Sequence, residues 1–117
     1  MKFFNRETGK FGEDKAAEFL QNKGYKILQK NFANKFGEID IIAQDKNVLV
    51  FVEVKTKRGE SFGTPEEMIN PKKLYKIRNM AAIYLRDQKC QCRIDVIAVV
   101  LGDGDEVVRM THYENVY

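Results

Sequence analysis

Gly37-Glu-Ile-Asp40-Ile-Ile-Ala43, then Gln44-Asp45-Lys46-Asn47, then Val48-Leu-Val-Phe-Val-Glu53-Val-Lys55 is the stretch on which the fold turns. Two dense β-branched runs on either side of a short polar segment form a hairpin. Its unusual feature is charge inside apolar strands, because an ionised group there costs several kcal/mol unless it is paired, hydrogen-bonded or bound to a metal, roughly. Period-two alternation puts Glu38, Asp40 and Ile42 on one face of the first strand, and Leu49, Phe51, Glu53 and Lys55 on one face of the second. The turn decides whether those faces coincide. With an even loop such as Asp45-Lys46, Asp40 opposes Phe51, Glu38 opposes Glu53, and all the charges share one side; a three-residue loop would reverse this.

With the even loop, two or three carboxylates and one ammonium converge, cross-strand neighbours lying about 4.5 to 5.5 Å apart. A hard divalent cation relieves the repulsion between carboxylates so placed. Mg²⁺ takes oxygens from one or two of them and keeps its other positions for water and substrate phosphate. Lys55 would then orient a water or neutralise charge developing on phosphorus. The plainer alternative is an ion-paired patch in which Lys55 bridges Glu53 and Asp40, and spacing by itself leaves both open.

Outward from the hairpin, Phe11, Ala16, Phe19 and Leu20 recur at helical spacing and Gly24 follows as a stop, giving a helix over Lys10 to Lys23. Tyr25 to Phe32 is β-rich. After a polar stretch from Thr56 to Gly63, Thr64-Pro65-Glu66-Glu67 has the form of a capping box and predicts a short turn. Asn70-Pro71 then starts a longer helix, to about Arg86, with Leu74, Ile77, Ala81, Tyr84 and Leu85 inward and Lys72, Lys73, Lys76 and Asn79 mostly outward. Arg93 to Leu101 is a nearly continuous apolar strand typical of a sheet interior, and Glu106 to His112 is a last strand. The order is αβββαββ, an α/β chain with a central mixed sheet flanked by helices, and residues 1–117 suit a single domain.

Composition narrows the function classes. The 117 residues are 44% hydrophobic and 32% charged, too apolar for a disordered tail, and no apolar run reaches the length of a membrane span. No secretory h-region follows Met1, so a cytoplasmic protein without membrane attachment is expected. Two cysteines and one histidine cannot supply the four ligands of a structural zinc site. The net charge of +3 is small, but residues 55 to 78 hold seven Lys/Arg against three Glu, whereas residues 79 to 117 hold four against six acids. Lys57, Arg58, Lys72, Lys73 and Lys76 in or beside that basic band are candidates for phosphate contacts, which need positive charge without a fixed motif. Tyr75 and Phe62 are candidates for stacking on unpaired bases, although packing is the commoner fate of such residues. Asp95 reads as structural, paired with a neighbour such as Arg93, and Glu38 as either a solvated residue or a group that helps orient Lys55.

Asp40 followed by Glu53-Val54-Lys55 across a hairpin resembles the core of the PD-(D/E)XK nuclease superfamily, with Ile39 where the motif has proline. The wider set is similar to the YraN-like family of small bacterial predicted endonucleases, related in turn to archaeal Holliday junction resolvases. It comprises Gly12-Glu13-x-x-Ala16, Tyr25-x-Ile27-Leu28 with Asn31, Gly37-Glu-Ile-Asp40, Phe51 to Arg58, Phe62-Gly63, Lys72-Lys73 and Arg93-Ile-Asp-Val96. The resemblance implies a restriction-endonuclease-like fold and a Mg²⁺ site, with Mn²⁺ as a substitute. Asp40 and Glu53 would be the ligands, helped by the carbonyl of Val54, with Lys55 the catalytic lysine and Glu13 a further acid from the first helix. Without the resemblance, Glu13 reads as an ordinary first-turn helix residue.

The expected activity is metal-dependent hydrolysis of DNA phosphodiesters, with branched DNA and a homodimer expected from the resolvase resemblance alone. Two other classes compete: a non-catalytic DNA-binding or recombination-accessory protein that keeps the fold, and a hydrolase of free nucleotides or another small phosphate compound.

Overall fold

A computed structural model describes residues 2–61 and 63–117. Phe62, one of the stacking candidates, lies outside the described residues. The order is α1 (Lys2–Asn22), β1 (Lys26–Asn34), β2 (Gly37–Asp45), β3 (Val48–Arg58), a 3₁₀ turn (Pro65–Met68), α2 (Pro71–Leu85), β4 (Gln91–Leu101) and β5 (Val107–Tyr113). The five strands form one sheet in the order β1-β2-β3-β4-β5. Every neighbouring pair is antiparallel except β3 with β4, which run parallel from Val48–Gln91 to Arg58–Leu101. A parallel pair needs a long crossover. Here the 3₁₀ turn and α2 supply it, so the sheet is mixed and the αβββαββ order holds.

Two apolar layers hold the helices. Ala16, Ala17 and Leu20 of α1 pack on Ile41, Val50, Val52, Ile97 and Val99. Ile77, Met80 and Ala81 of α2 pack on Ile39, Ile42 and Phe51. Burial on both faces is why β4 reads as an unbroken apolar run rather than an alternating one. Met80, only 2% exposed, belongs to the α2 stripe although it was not among the expected inward residues. No helix among the described residues is long and apolar enough to cross a membrane.

Three of the differences from expectation bear on the site. First, α1 starts at Lys2 rather than Lys10, because an apolar stripe marks only the packed part of a helix and a polar extension still satisfies its own backbone. Second, β3 runs on through Thr56, Lys57 and Arg58, held by its parallel partner β4. Third, Asp45 pairs with Val48 and Ile41 with Val52, leaving Lys46-Asn47 as the hairpin loop. That loop is even, so the charges do converge, but it lies one residue beyond Asp45-Lys46 and moves the register by two. Asp40 thus falls opposite Glu53 and not opposite Phe51, and Glu38 is no longer opposite Glu53.

Close approach of α1 depends on Gly12. A Cβ there would lie 1.9 Å from Thr56 Oγ1, so only glycine lets the helix rest on β3 at this point.

Candidate active site

The β2–β3 ladder ends at Ile41–Val52, and Asp40 and Glu53 are the next opposed positions. Strand alternation slips here: Ile39 packs in the α2 layer and Ile41 in the α1 layer, although residues two apart normally share a face. Asp40 sits at the slip, and its Oδ2 accepts a 2.8 Å hydrogen bond from the amide of Val54. A side chain therefore receives the bond where the main-chain ladder stops. Both carboxylates are buried, Asp40 at 7% and Glu53 at 5% exposure. Burial first, and then the charge of Glu53, push the Asp40 carboxyl up to about 8, against the hydrogen bond from Val54 that opposes the shift.

Positive charge faces the pair. Glu53 Oε2 lies 3.1 Å from Lys73 Nζ and 3.6 Å from Lys55 Nζ. Burial and then the neighbouring Lys73 hold Lys55 below the usual lysine value. Burial would lower Lys73 as well, but its contact with Lys55 and the charge of Glu53 outweigh that and raise it. Lys73 therefore points into the site instead of outward. Its place four residues before Ile77, on the buried stripe of α2, was the signal in the sequence.

These groups line a cleft of about 630 Å³ between the N-terminal end of α2 and α1. Glu13 of α1 and Glu38 of β2 line it too, and burial and then Glu38 push the Glu13 carboxyl up. Lys72 and Lys76 border the same opening. Asn70 caps α2 by accepting 2.9 Å from the amide of Lys73, which fixes the first turn that carries both Lys72 and Lys73. Before it, Thr64 donates its amide to Glu67 Oε1 at 2.7 Å, as the capping-box pattern implies. Glu66 is gripped by Arg109 of β5 at 2.6 and 3.0 Å, which holds its carboxyl down at about 2 and anchors the crossover beside the cleft.

Lys57 and Arg58 do not join the cleft. Because β3 is longer than expected, they lie beside Val100 and Leu101 at the far end of the β3–β4 pair. Arg58 is engaged there, 2.6 Å from Asp105 and donating 2.8 Å to the carbonyl of Gly102, so it clasps the β4–β5 turn. Tyr75 is 55% exposed on α2 and does not line the cleft. Asp95 is fully buried and structural. It accepts from Arg93 Nε at 3.0 Å and from the amide of Asn115 at 2.9 Å, and lies 2.8 Å from His112 Nε2. Arg93 continues that network to the hydroxyl of Tyr25 at 2.6 Å.

The donors suit one kind of metal better than others. Among the described residues no group of three or more His, Cys, Asp and Glu converges as a ligand set. The buried carboxylates that could hold a cation are Asp40 and Glu53, with Val54, Glu13 and Glu38 also in the lining. One or two carboxylates beside an open, lysine-lined space are the donor set of Mg²⁺ or Mn²⁺ and not of a fully protein-enclosed ion.

Comparison with known proteins places the chain. A UPF0102 protein of Syntrophomonas wolfei is 38% identical over 116 residues, covering 97% of this chain and 99% of its own. One of Clostridium botulinum is 48% identical over 106 residues, 87% of this chain and 86% of its own, and one of Persephonella marina is 53% identical over 100 residues, 83% and 86%. The family model described as "Uncharacterised protein family UPF0102" matches residues 12–99, from Gly12 on α1 through Asp40, Glu53, Lys55 and Lys73 to Val99 on β4, and the chain belongs to that family.

Proposed function

We propose that this protein is a Mg²⁺-dependent endonuclease of the restriction-endonuclease-like fold that hydrolyses DNA phosphodiesters in the cleft between α1 and α2. The observation that carries the proposal is Asp40: a buried carboxyl opposed by a second buried carboxylate, Glu53, in an opening bordered by Lys55, Lys72, Lys73 and Lys76. The resemblance of Asp40 and Glu53-Val54-Lys55 to the PD-(D/E)XK pattern supports the same assignment.

Asp40 and Glu53 would hold the cation, with the Val54 carbonyl as a third oxygen. When bound, it supplies a Lewis acid at the phosphoryl group and a more acidic water. The chain's own residues do the rest. Lys55, desolvated and held next to Glu53, donates hydrogen bonds that orient the attacking water or offset charge building on phosphorus. Lys72 and Lys76 hold flanking phosphates, whose negative charge also draws Lys73 away from Glu53. Glu13 supplies an acid whose raised proton affinity suits proton exchange at the cleft wall. A nucleic-acid strand matches this open cleft better than a free nucleotide, which calls for an enclosing pocket.

A second reading has its own support. Lys73 already satisfies Glu53 at 3.1 Å, an arrangement that is complete without a metal and fits a non-catalytic DNA-binding protein. Cleavage of labelled linear, flapped and four-way-junction DNA in Mg²⁺ or Mn²⁺, beside Asp40→Ala and Lys55→Ala, separates the two. The nuclease reading expects cleavage by the parent and none by either variant. Salt-sensitive binding without cleavage under every condition would favour the accessory protein.

A further inference from the structure

A second groove opens next to the cleft and is used by nothing described so far. Phe36, at the tip of the β1–β2 hairpin, is 67% exposed, the most exposed large apolar residue among those described. Together with Lys76, Asn79, Met80 and Ile83 of α2 it encloses a space of about 310 Å³. Lys76 and Met80 line both this groove and the Asp40–Glu53 cleft, so the two lie side by side on α2.

The hairpin tip holds Phe36 in place. Its amide donates 2.7 Å to the side-chain oxygen of Asn34, which closes a local turn. Gly37 follows at φ 155°, a conformation that side chains rarely adopt, and a Cβ there would come within 3.4 Å of Met80 Cγ. The tip thus rests against α2 while its aromatic ring stays in water. Lys35, which does not line the groove, lies over that ring with Nζ 5.2 Å from the centroid.

The lining says what fits. A phenyl ring on one side and Ile83, 40% exposed, on the other form an apolar slot. The Asn79 amide can both donate to and accept from a base edge. The only charge in the lining is the ammonium of Lys76, at the junction with the cleft, and Lys35 adds a second above the ring. An apolar slot with cations at its rim is complementary to a flat, uncharged base joined to a phosphate, whereas an apolar protein surface would leave both lysines unmatched.

Resting on the nuclease reading, we infer that the groove between Phe36 and α2 receives one unpaired nucleobase of a strand whose neighbouring phosphate lies in the Asp40–Glu53 cleft. A base inside a continuous duplex is stacked on both sides and enters only after being unpaired and flipped out, a cost that an already unpaired base does not carry. The substrate class is therefore DNA with unpaired nucleotides beside the cut, as in flaps, gaps and branch points, in preference to matched duplex.

The test uses the full chain in EDTA, with fluorescence-anisotropy binding to three probes: matched duplex, the same duplex with a flap, and the flap carrying 2-aminopurine at its first unpaired position. The parent is expected to bind the flap roughly tenfold or more tightly than the duplex and to quench 2-aminopurine. Phe36→Ala is expected to remove that preference and the quenching while leaving duplex affinity in place; Phe36→Trp is expected to restore both. Ile83→Ser, on the opposite wall, should act as Phe36→Ala does, and unchanged circular dichroism melts confirm that both variants are folded. Equal binding of all probes, or a Phe36→Ala variant that keeps the flap preference, overturns the inference while leaving Asp40-dependent cleavage standing. Dissociation of a dimer by Phe36→Ala, with no change in flap binding, overturns it in favour of a second copy in the groove. Absence of both DNA binding and cleavage overturns this inference together with the nuclease reading.

Discussion

Asp40 and Glu53 stand opposite each other one position beyond the last rung of the β2–β3 ladder, and the amide of Val54 donates to Asp40 at 2.8 Å. The pair combines a cost with a use. Burial and the neighbouring Glu53 push the Asp40 carboxyl up to about 8, so near neutral pH it keeps its proton while Glu53 faces two lysines. Asp40→Asn keeps an acceptor for Val54 and removes the cost of holding that proton on a buried acid that would be ionised in the unfolded chain. Its melting temperature in EDTA should exceed that of the parent, by an amount equivalent to about 1–2 kcal/mol, while cleavage is lost. A lower melting temperature would show that the Asp40 carboxylate stabilises the metal-free fold.

The basic band divides into lysines at the cleft and an arginine committed elsewhere. Lys72→Ala and Lys76→Ala should each weaken DNA binding and reduce the slope of log K against log salt by about one unit. Arg58→Ala should leave the slope unchanged, because its guanidinium clasps Asp105 and Gly102. Binding titrations from 50 to 300 mM salt, on the order of the range over which phosphate contacts are resolved, make the comparison.

Acid stability should depend on Asp95. Burial alone would raise its carboxyl, but His112, the Asn115 amide and Arg93 outweigh burial and hold it below the ordinary value of 3.8. The folded pKa is thus lower than the unfolded one. Its contribution is fully present above the unfolded value, and is lost as pH falls from about 4 through the lower folded pKa. Asp95→Asn should be less stable at pH 7, by about 3–5 kcal/mol if His112 and Arg93 are left without their partner, and its stability should change less steeply below pH 4. Urea melts at pH 3 to 7 provide the check.

How much of this was legible in the sequence depended on what each residue's neighbours were. The hairpin, and which residues share a face within each strand, follow from local alternation, but whether Asp40 lands on the face of Glu53 and Lys55 depends on the parity of the loop, which the pairing of Asp45 with Val48 supplies. The choice of Lys46-Asn47 as the loop could not be read from the chain, because Gln44-Asp45-Lys46-Asn47 offers several turn-compatible pairs and only pairing fixes one; Lys46 takes up the left-handed φ of 56°. Arg58 looked free because the continuation of β3 depends on β4, forty-odd residues later in the chain. Phe36 gives no signal in the sequence, because an aromatic residue in a turn carries no periodicity and its exposure is set only in three dimensions.

The contact between α1 and β3 gives paired predictions. Gly12→Ala forces a methyl against Thr56 and should destabilise by about 1–3 kcal/mol, even though alanine is the better helix former. Thr56 Oγ1 is buried without a hydrogen-bond partner. Thr56→Val should therefore be neutral or stabilising by up to about 1 kcal/mol, the reverse of the usual cost of that exchange. Thermal melts of both variants decide it.

A cation held between Asp40 and Glu53 is the point on which the chemistry depends. Its most direct test is titration of the metal-free protein with Mn²⁺, followed by electron paramagnetic resonance of the free ion, with Asp40→Asn and Glu53→Gln alongside. One Mn²⁺ bound per chain, displaced by Mg²⁺ and lost in both variants, is the predicted result. No binding by the parent, or binding that survives both substitutions, would contradict it.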